Sequence, residues 1–316
     1  MKIGMVTSWN ERCGISSYSK TLVHELISRG HDVKVAANFP RDQVEPDEPF
    51  VERFFHVPFM THEKTANVEG MVNYLKDCDI IHVQFETSLY HPDYFNQLMF
   101  GLIPYNKKIV FTMHSGGIWH EFPISRVDHF ITHDHPFANN SSVIPMGVKI
   151  YKGNEGTINL NTLTSFGLGR NNDDYVNEAI KGMNIDYKTT YGHREWLPLD
   201  KLVSKIRESW IISLLYPDIG STSVSSSAVM LAMGCDRPIL VSNTNWFSHI
   251  INFPNIYICD TIKDVKEHIK YLTDINNNNT IWKEIYEMKQ KLVETQRTFD
   301  DFVSNHINLY RKLLNP

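Results

Sequence analysis

The chain has 316 residues, of which 42% are hydrophobic, and this is enough for two α/β domains of about 150 residues with buried cores. A formal net charge of −5 and a sequence pI of about 6.3 exclude a general attraction to nucleic acids or anionic membranes, so such a partner would require a local basic patch. No apolar run approaches the roughly 20 residues of a membrane span, and the first residues are too polar for a signal peptide. We therefore expect a cytoplasmic protein without an integral membrane segment.

The beginning of the chain predicts a strand, a loop, a helix and a second strand. The first strand is expected at residues 2–7, the helix at 18–28 and the second strand at 31–37. The loop before the helix contains Gly14, followed by Ile15. Because glycine has no Cβ, its backbone amide can approach a phosphate closely. The loop lacks the G-x-G-x-x-G dinucleotide pattern, and a simple turn glycine fits the sequence equally well.

Polar side chains follow several later strands of the first half. Strands are expected at residues 51–57, 79–86, 107–113, 126–134 and 142–148, and helices at 65–76 and 92–102. The second of these strands ends in Glu86, the third is followed by His114, and the fourth contains His133. Since the carboxyl ends of parallel strands meet at one edge of a doubly wound sheet, we expect these side chains to lie close together.

One group of polar residues contains potential metal ligands, namely His129, His133, Asp134 and His135. No Cys or Glu lies at ligand spacing from this group, so we interpret it as a loop at the edge of a binding site and predict no metal. Free thiols in a reducing compartment are expected for four cysteines that lie far apart in the chain, Cys13, Cys78, Cys235 and Cys259.

The second half of the chain repeats the alternation of strands and helices. Strands are expected at 163–167, 187–190, 211–215 and 239–242, and helices at 175–183, 202–209, 227–233, 260–272, 280–297 and 302–314, while residues 158–163 are ambiguous. Arg170 lies in the loop after the first of these strands, where its guanidinium can bind a phosphate through two hydrogen bonds. A surface arginine without a ligand is the alternative interpretation.

A loop rich in Gly, Ser and Thr joins the strand at 211–215 to the helix at 227–233. In an open parallel sheet such a loop lies at the carboxyl ends of the strands, and the first amides of its helix point outward as donors to an anion. The stretch 216–240 therefore predicts a phosphate site. The alternative is an empty turn, since any α/β protein has several loops of this kind.

The order of the elements predicts two doubly wound, Rossmann-like α/β domains that face a cleft. The first domain is expected at residues 1–148 and the second at 149–297. Residues 298–316 are predicted to form a closing helix that packs back on the first domain.

Seven segments resemble, in order, those of the GT-B glycosyltransferases, specifically the retaining nucleotide-sugar group often called family four. Their sequences are RCGISSYS (12–19), DIIHVQFE (79–86), FTMHS (111–115), VIPMGV (143–148), SFGLGR (165–170), LLYPD (214–218) and SSAVMLAMGCDRPIL (226–240). The segment TFDDFVSNHINLYRKLL (298–314) is similar to the family's final helix. The resemblance covers nearly the whole chain. It implies the GT-B fold and transfer of a sugar from a nucleoside diphosphate sugar, with a UDP-sugar favoured.

The resemblance also assigns roles to individual residues. Gly14, with Ile15 beside it, matches the glycine whose amide meets the donor diphosphate, and Arg170 matches the arginine that binds this group. His114 matches the histidine that contacts the transferred sugar near its reacting carbon. The turn whose amides cap the diphosphate corresponds to Ser225, Ser226, Ser227 and Ala228. These groups would stabilise the departing diphosphate without a metal or another cofactor, so His114 and Arg170 are the predicted catalytic residues.

In the family, retention is ascribed to attack from the face of the leaving group, with a diphosphate oxygen taking the acceptor proton. We therefore name no protein nucleophile. The acceptor is expected on the first domain, near the side chains of Glu86, His114, Trp119, His120 and His133.

A saccharide or a small molecule is the favoured acceptor, because the helix after residue 62 lacks the basic and aromatic face of a helix that binds lipid surfaces. DNA is also possible, since some phage enzymes of GT-B fold glucosylate DNA, but it needs a cationic groove. The sequence offers only modest candidates for such a groove, Lys107, Lys108, Arg126 and residues 149–152. It does not predict an oligomeric state.

The chain departs from the family pattern at three positions. Ser223 and Leu231 stand where the family commonly has two glutamates, the second of which holds the donor ribose. The family's lysine shortly after the arginine is missing, because residues 171–174 are Asn and Asp, although Lys181 and Lys188 are candidate replacements. These losses leave open a second hypothesis, a catalytically inactive GT-B protein that binds a sugar or a nucleotide.

Overall fold

A computed structural model describes residues 1–57, 65–114, 124–152, 158–167, 171–191, 197–218 and 226–316. The chain divides into two compact units, of which one comprises Met1–Pro145 with Val303–Pro316 and the other comprises Met146–Phe302. Each unit contains one parallel sheet whose strands alternate with helices. The predicted α/β fold with two Rossmann-like domains is confirmed.

The sheet of the first unit is parallel, and the order of its strands reverses between the first and the fourth strand of the chain. Its strands are β1 (Lys2–Thr7), β2 (Asp32–Phe39), β3 (Val51–His56), β4 (Ile80–Phe85), β5 (Lys108–Met113), β6 (His129–Thr132) and β7 (Ser141–Val143). Their spatial order is β3-β2-β1-β4-β5-β6-β7. Loops diverge where the order reverses, so the loops after β1 and β4 border the crevice in which doubly wound folds bind ligands.

Helices of the first unit are α1 (Gly14–Ser28), α2 (Val68–Leu75) and α3 (Pro92–Leu102). In α1 the buried residues recur every three or four positions, as expected for a helix with one face on a sheet. The helix begins at Gly14 rather than at residue 18, because the Ser17 amide already donates to the Cys13 carbonyl at 3.2 Å. The loop after β1 is therefore only residues 8–13, and Gly14 lies in the first turn of α1.

The sheet of the second unit is parallel as well. Its strands are β8 (Asn159–Gly167), β9 (Asp186–Tyr191), β10 (Ser209–Leu214), β11 (Ile239–Ser242) and β12 (Ile256–Cys259), in the order β12-β11-β10-β8-β9. All six residues of β10 are buried, as expected for a central strand covered on both faces. The sequence prediction missed β12, since four residues give too little pattern to reveal a strand without its partner β11. The ambiguous residues 158–163 proved to be mostly the start of β8.

Helices of the second unit are α4 (Asp173–Ala179), α5 (Leu199–Glu208), α6 (Ser227–Gly234), α7 (Ile262–Thr273) and α8 (Asn278–Glu294). Helix α6 is apolar around most of its circumference and is correspondingly buried. It ends at Gly234, where a Cβ would lie 2.1 Å from the backbone oxygen of Lys149. Only glycine fits at this point, because the segment that enters the second unit passes directly against the end of α6.

The last helix, α9 (Phe299–Leu314), begins in the second unit and continues in the first. Its residues His306 and Tyr310 are fully buried. The Tyr310 hydroxyl lies 2.6 Å from Nδ1 of His82 on β4, and Arg29 Nη1 donates to the Ser304 hydroxyl at 3.0 Å. The end of the chain therefore contributes polar contacts to the core of the first unit.

Candidate functional site

His114 lies at the carboxyl end of β5, one residue past the strand. Its amide donates to the carbonyl of Phe85 at 2.8 Å, so its backbone is held by the neighbouring strand β4. Its ring Nε2 lies 2.8 Å from the side-chain oxygen of Gln84, and the side chain is partly buried. Backbone and side chain are thus both held by β4, and the position of the ring is well defined.

Aromatic rings from two further elements surround His114. Tyr18 of α1 meets it edge to face, with 5.0 Å between ring centroids, and His133 lies 5.7 Å away just after β6. The structure therefore brings together two of the predicted site residues, His114 and His133. It adds Tyr18, which the sequence prediction missed. The available signal was its spacing of four residues from Gly14, which places both on one face of α1.

Burial favours the neutral form of two imidazoles, His114 and His82. Burial holds the pKa of His114 well below its ordinary value, and the neighbouring His133 lowers it further. Burial also lowers the pKa of His82, and His306 acts in the same direction. Burial raises the pKa of the Tyr18 hydroxyl. The surroundings of His114 therefore offer neutral hydrogen-bonding groups at neutral pH, which suits the binding of a hydroxyl better than that of an ion.

The two other described residues of the predicted acceptor site have their own contacts. His133 is buried, and its Nδ1 lies 2.9 Å from the carbonyl of Ile144, which can only accept, so Nδ1 carries a proton. The Glu86 carboxylate accepts from the backbone amide of Ser88 at 3.0 Å and from the hydroxyl of the same residue. Glu86 therefore closes a local turn directly after β4.

The loop after β1 is fixed by hydrogen bonds from several directions. Asn10 has a positive φ of 50°, and its side-chain amide donates to the Pro46 carbonyl at 2.9 Å. The indole of Trp9 donates to Glu48 at 2.9 Å, and the ammonium of Lys20 donates to the Asn10 side chain at 2.9 Å. A loop held in this way is preorganised for a ligand, since little freedom remains to be lost on binding.

A buried carboxylate in this loop was not predicted. Glu11 has 2% of its surface exposed and accepts from Asn38 Nδ2 at 3.0 Å. Burial raises its pKa, while the hydrogen bond from Asn38 and the charge of Arg53 lower it. Nothing in the sequence distinguishes Glu11 from a solvent-exposed loop residue, because its burial depends on β2 and β3.

The amino terminus of α1 has no charged cap. Cys13 is the N-cap residue, its side chain makes no capping hydrogen bond, and no acidic residue lies in the first turn. Burial raises the pKa of the Cys13 thiol, so this group stays neutral and is at most a weak acceptor. The first turn itself therefore has no carboxylate to offset the partial positive charge of this helix end, and the nearby buried Glu11 lies in the preceding loop.

The amino terminus of α6 has the same property. Ser226 is the N-cap and is buried, but its side chain makes no capping hydrogen bond, and the first turn contains no acidic residue. In contrast, α7 has a capping box in which Thr261 and Asp264 satisfy each other's amides. The first-turn amides of α6, which include those of Ser227 and Ala228, are thus suited to an anionic ligand.

A polar cavity of about 290 Å³ lies at the carboxyl ends of β10, β11 and β12. Its polar lining includes Asn172, Tyr175, Tyr216, Asp218, Ser242, Asn243, Thr244 and Asp260. None of the described residues that line it is basic. The sequence prediction missed this cavity, because its lining comes from four separate loops.

Four of the predicted site residues lie outside the described residues: Trp119, His120, Arg170 and Ser225. Among the residues that the structure describes, no three His, Cys, Asp or Glu side chains form a group that could hold a metal ion. Two of the potential metal ligands named from the sequence have other contacts. His129 Nε2 lies 2.8 Å from the Ser142 hydroxyl, and His133 donates a hydrogen bond to the Ile144 carbonyl. No helix in the described part of the chain is long and apolar enough to cross a membrane.

Comparison with known proteins connects this geometry to a family. The model of Glycosyltransferase Family 4 matches residues 13–144, which lie within the first unit. An α-glucosyltransferase in complex with UDP and DNA has a TM-score of 0.71 at 14% identity, covering 98% of this chain and 100% of that protein. Both units therefore correspond to a known glycosyltransferase structure. The first unit thus matches the family-four glycosyltransferase model, and the chain as a whole has the GT-B fold.

Two further similar structures belong to proteins with different names. Sucrose-phosphate synthase from Thermosynechococcus elongatus has a TM-score of 0.68 at 14% identity, covering 99% of each chain. HepE from Anabaena, in complex with UDP and glucose, has a TM-score of 0.63 at 10% identity, covering 99% of this chain and 100% of that one. At such identities the likeness to these structures shows the fold. No curated protein sequence matches this chain significantly.

Proposed function

We propose that this glycosyltransferase moves a sugar from a UDP-sugar to a hydroxyl acceptor, with retention of configuration and without a metal ion. The observation that carries the proposal is His114, a neutral imidazole at the carboxyl end of β5 that contacts Gln84 of β4 and Tyr18 of α1. Similar structures were determined with UDP or with UDP and glucose, which supports the choice of nucleotide.

The amino end of α1 in the first unit and the amino end of α6 in the second unit are each proposed as donors to an anion, and the donor diphosphate is assigned to the second. The amides of Gly14 and Ile15 would serve the first of these positions, and those of Ser226, Ser227 and Ala228 the second. Neither helix end is neutralised by an acidic residue in its first turn. Arg170 would add a positive charge to the diphosphate. Such donors stabilise a leaving group most strongly as its charge develops, which is the requirement for catalysis.

The chemical step proposed here needs no protein nucleophile. The bond between the anomeric carbon and the diphosphate oxygen breaks, and the acceptor oxygen bonds to the same face of that carbon. The acceptor proton goes to a diphosphate oxygen, and the nucleoside diphosphate departs. Neutral His114 would bind a hydroxyl of the transferred sugar, and it would not take the acceptor proton.

This chain lacks two groups with which the family binds the donor, a carboxylate at the ribose and a lysine at the diphosphate. The residues that stand in their place, or could replace them, affect how strongly the donor is bound. Leu231 packs against the core of the second unit, so it offers no substitute for a carboxylate at the ribose. The side chain of Asn171 accepts from the Leu215 amide at 2.6 Å and supports β10. Lys188 is exposed and pairs with Asp186 at 3.2 Å. Arg170 is therefore proposed as the main cationic contact of the diphosphate.

A saccharide or small molecule is the proposed acceptor, and DNA is the second candidate. DNA is favoured by the likeness to α-glucosyltransferases whose structures contain DNA. Charge distribution in the first unit argues against it. Lys107 and Lys108 lie at the start of β5 and Arg126 precedes β6, whereas His114 follows β5, so the basic groups lie at the opposite edge of the sheet. Lys108 also pairs with Asp128 at 3.1 Å.

A thermal-shift screen with UDP, GDP, ADP and their sugars, each with and without EDTA, tests the donor part of the proposal. A ligand that binds only the folded protein raises Tm by mass action. We expect stabilisation by UDP and UDP-sugars that EDTA does not reduce. Stabilisation by another nucleotide would replace UDP in the proposal, and loss of the shift in EDTA would contradict metal independence.

Arg170→Ala is expected to reduce turnover by weakening the stabilisation of the leaving group, while leaving Tm unchanged. The matched control is Arg126→Ala, which removes an arginine from the opposite edge of the first sheet. Normal turnover in Arg170→Ala would remove the assigned role of this residue.

A further inference from the structure

Three buried polar side chains form a hydrogen-bonded chain that connects the last helix to His114. Tyr310 of α9 contacts His82 of β4, His82 contacts Gln84 of the same strand, and Gln84 contacts His114. His82, Gln84 and Tyr310 are fully buried. Polar groups in such surroundings are costly to leave without partners, so the direction of each hydrogen bond is strongly constrained.

The side-chain amide of Gln84 can be oriented from its neighbours. One end of the amide lies 3.2 Å from the sulfur of Met5 and the other lies 2.8 Å from Nε2 of His114. A thioether sulfur has no proton to donate, so the NH2 group must face Met5. The carbonyl oxygen of Gln84 then faces His114. Since a carbonyl only accepts, Nε2 of His114 carries a proton.

This hydrogen bond fixes the tautomer of His114. A neutral imidazole has one ring proton, and burial keeps His114 neutral at physiological pH. With that proton on Nε2, the other nitrogen, Nδ1, bears a lone pair. Within the described residues, no side chain or backbone group is hydrogen-bonded to Nδ1. As far as the described residues are concerned, Nδ1 is therefore an acceptor to which a ligand can donate.

His82 holds Gln84 in the orientation that this tautomer requires. The NH2 group of Gln84 lies 3.3 Å from His82 Nε2, and the Thr112 hydroxyl lies 2.7 Å from the same nitrogen. His82 Nε2 must therefore accept, which places the proton of His82 on Nδ1, 2.6 Å from the Tyr310 hydroxyl. A flipped Gln84 amide would bring its oxygen against two acceptors, the lone pair of His82 and the sulfur of Met5.

We propose that Gln84 is a positioning residue, which holds His114 as the Nε2–H tautomer so that Nδ1 accepts a hydrogen bond from a hydroxyl of the transferred sugar. This inference rests on the proposed role of His114 in glycosyl transfer. It adds a rule of specificity, because the sugar must present a hydroxyl as a donor to Nδ1. A deoxy or fluoro analogue at that carbon cannot donate and is expected to be a poor substrate.

NMR of the ring nitrogens tests the tautomer without any substrate. The protein is labelled with ¹⁵N at histidine, and the His114 signals are assigned by their loss in His114→Gln. We expect the Nε2–H tautomer in the wild type and a mixture or the Nδ1–H form in Gln84→Met, which removes the acceptor at nearly constant volume. Gln290→Met, the same change at an exposed position of α8, is the control and should leave the His114 signals unchanged. A wild-type His114 that is protonated on Nδ1 would overturn the inference.

Transfer kinetics test the consequence for the reaction. Gln84→Met leaves a buried donor without a partner, a loss of about 1–3 kcal/mol that corresponds to roughly tenfold to hundredfold. We expect kcat to fall by about this factor, while the Kd of UDP stays within about twofold of the wild type. A fall in UDP affinity with unchanged kcat would contradict a role at the transferred sugar.

The pH dependence of kcat in Gln84→Glu tests whether Gln84 positions His114 or only fills space beside it. A carboxylate beside His114 raises the pKa of this imidazole from its depressed value. His114 then gains a proton on Nδ1 as the pH falls, so we expect a new acidic limb in kcat that the wild type lacks in the same range. The other titratable groups around His114 and its partner His82 are common to both proteins: Tyr18, His133, His306 and Tyr310. Identical profiles for Gln84→Glu and the wild type would overturn the inference.

The two measurements distinguish failure of this inference from failure of the proposed function. If NMR shows the Nε2–H tautomer but no sugar is transferred from any donor, the proposed function fails. If sugar is transferred while NMR shows Nδ1–H, the function stands and the role of Gln84 is wrong.

Discussion

At the scale of single residues, His114 differs from the surface histidines of the chain in its burial and in the ring contacts that surround it. His24, for example, has half of its side chain exposed and contacts the carboxylate of Glu48. His114 instead contacts an amide, a tyrosine and another histidine. A neutral imidazole in these surroundings can bind a hydroxyl without drawing a proton from it.

His114→Ala is expected to reduce transfer more than nucleotide binding. Loss of a contact made to the sugar removes stabilisation of the transition state, so we expect kcat to fall by about a hundredfold or more. The Kd of UDP should change by less than about twofold, since UDP lacks the sugar. His129→Ala, at the amino end of β6, is the control. A variant of His114 that loses only nucleotide affinity would contradict the assigned role.

The stability of the protein should fall on mild acidification because of His82 and His114. Burial holds the pKa of both below the ordinary value, so the unfolded state binds protons that the folded state does not. The free energy of unfolding is therefore expected to decrease as the pH falls below about 6.5, by up to about 1.4 kcal/mol per pH unit for each group.

Urea unfolding at pH 7.5 and 5.5 measures this effect. The free energy of unfolding should decrease less between pH 7.5 and pH 5.5 in His82→Gln than in the wild type, because this variant lacks one of the buried imidazoles. An equal decrease in both proteins would show that His82 does not contribute.

At the scale of secondary-structure elements, the amino ends of α1 and α6 are the features that suit a diphosphate. Each follows a strand next to the point where the strand order of its sheet reverses, β1 or β10, which is where doubly wound folds bind ligands, and neither has an acidic residue in its first turn. The position of α6 depends on its apolar surface and on Gly234, which allows the Lys149 backbone to pass its end.

Ser227→Asp is predicted to have opposite effects on stability and on ligand binding. A carboxylate in the first turn of α6 interacts favourably with the helix dipole, so the free energy of unfolding should rise by about 0.3–1 kcal/mol. The same charge repels a diphosphate, and we expect the Kd of UDP to rise by about tenfold or more.

The matched control for this prediction is Asn279→Asp, which adds the same charge to the first turn of α8. It should leave the Kd of UDP unchanged in isothermal titration. An unchanged Kd in Ser227→Asp as well would place the diphosphate elsewhere.

At the scale of the whole molecule, the sequence predicted the fold class because most strands and helices have a clear pattern of apolar residues. It missed β12, whose four residues are recognisable only through pairing with β11. It also placed the start of α1 four residues late, because Gly14 and the serines after it resemble a loop.

The candidate site was only partly predictable, because several of its contacts depend on parts of the chain that are distant in sequence. His114 and His133 follow strands, so strand order was enough to bring them together. Tyr18 and Gln84 lie inside elements, and their roles depend on which face each side chain occupies and on the rings packed beside it. The burial of Glu11 and the cavity at β10, β11 and β12 depend on loops that are distant in sequence.

The central claim is the transfer of a sugar from a UDP-sugar to a hydroxyl, and the most direct test is NMR of the product. The protein is incubated with a UDP-α-sugar and a panel of saccharides, together with a duplex that carries a hydroxymethylated base. The anomeric proton coupling of any product is then measured. We expect an α-linked saccharide product, formed equally well in EDTA. A β-linked product would contradict retention, a modified duplex alone would make DNA the acceptor, and no product with any donor would contradict the proposed function.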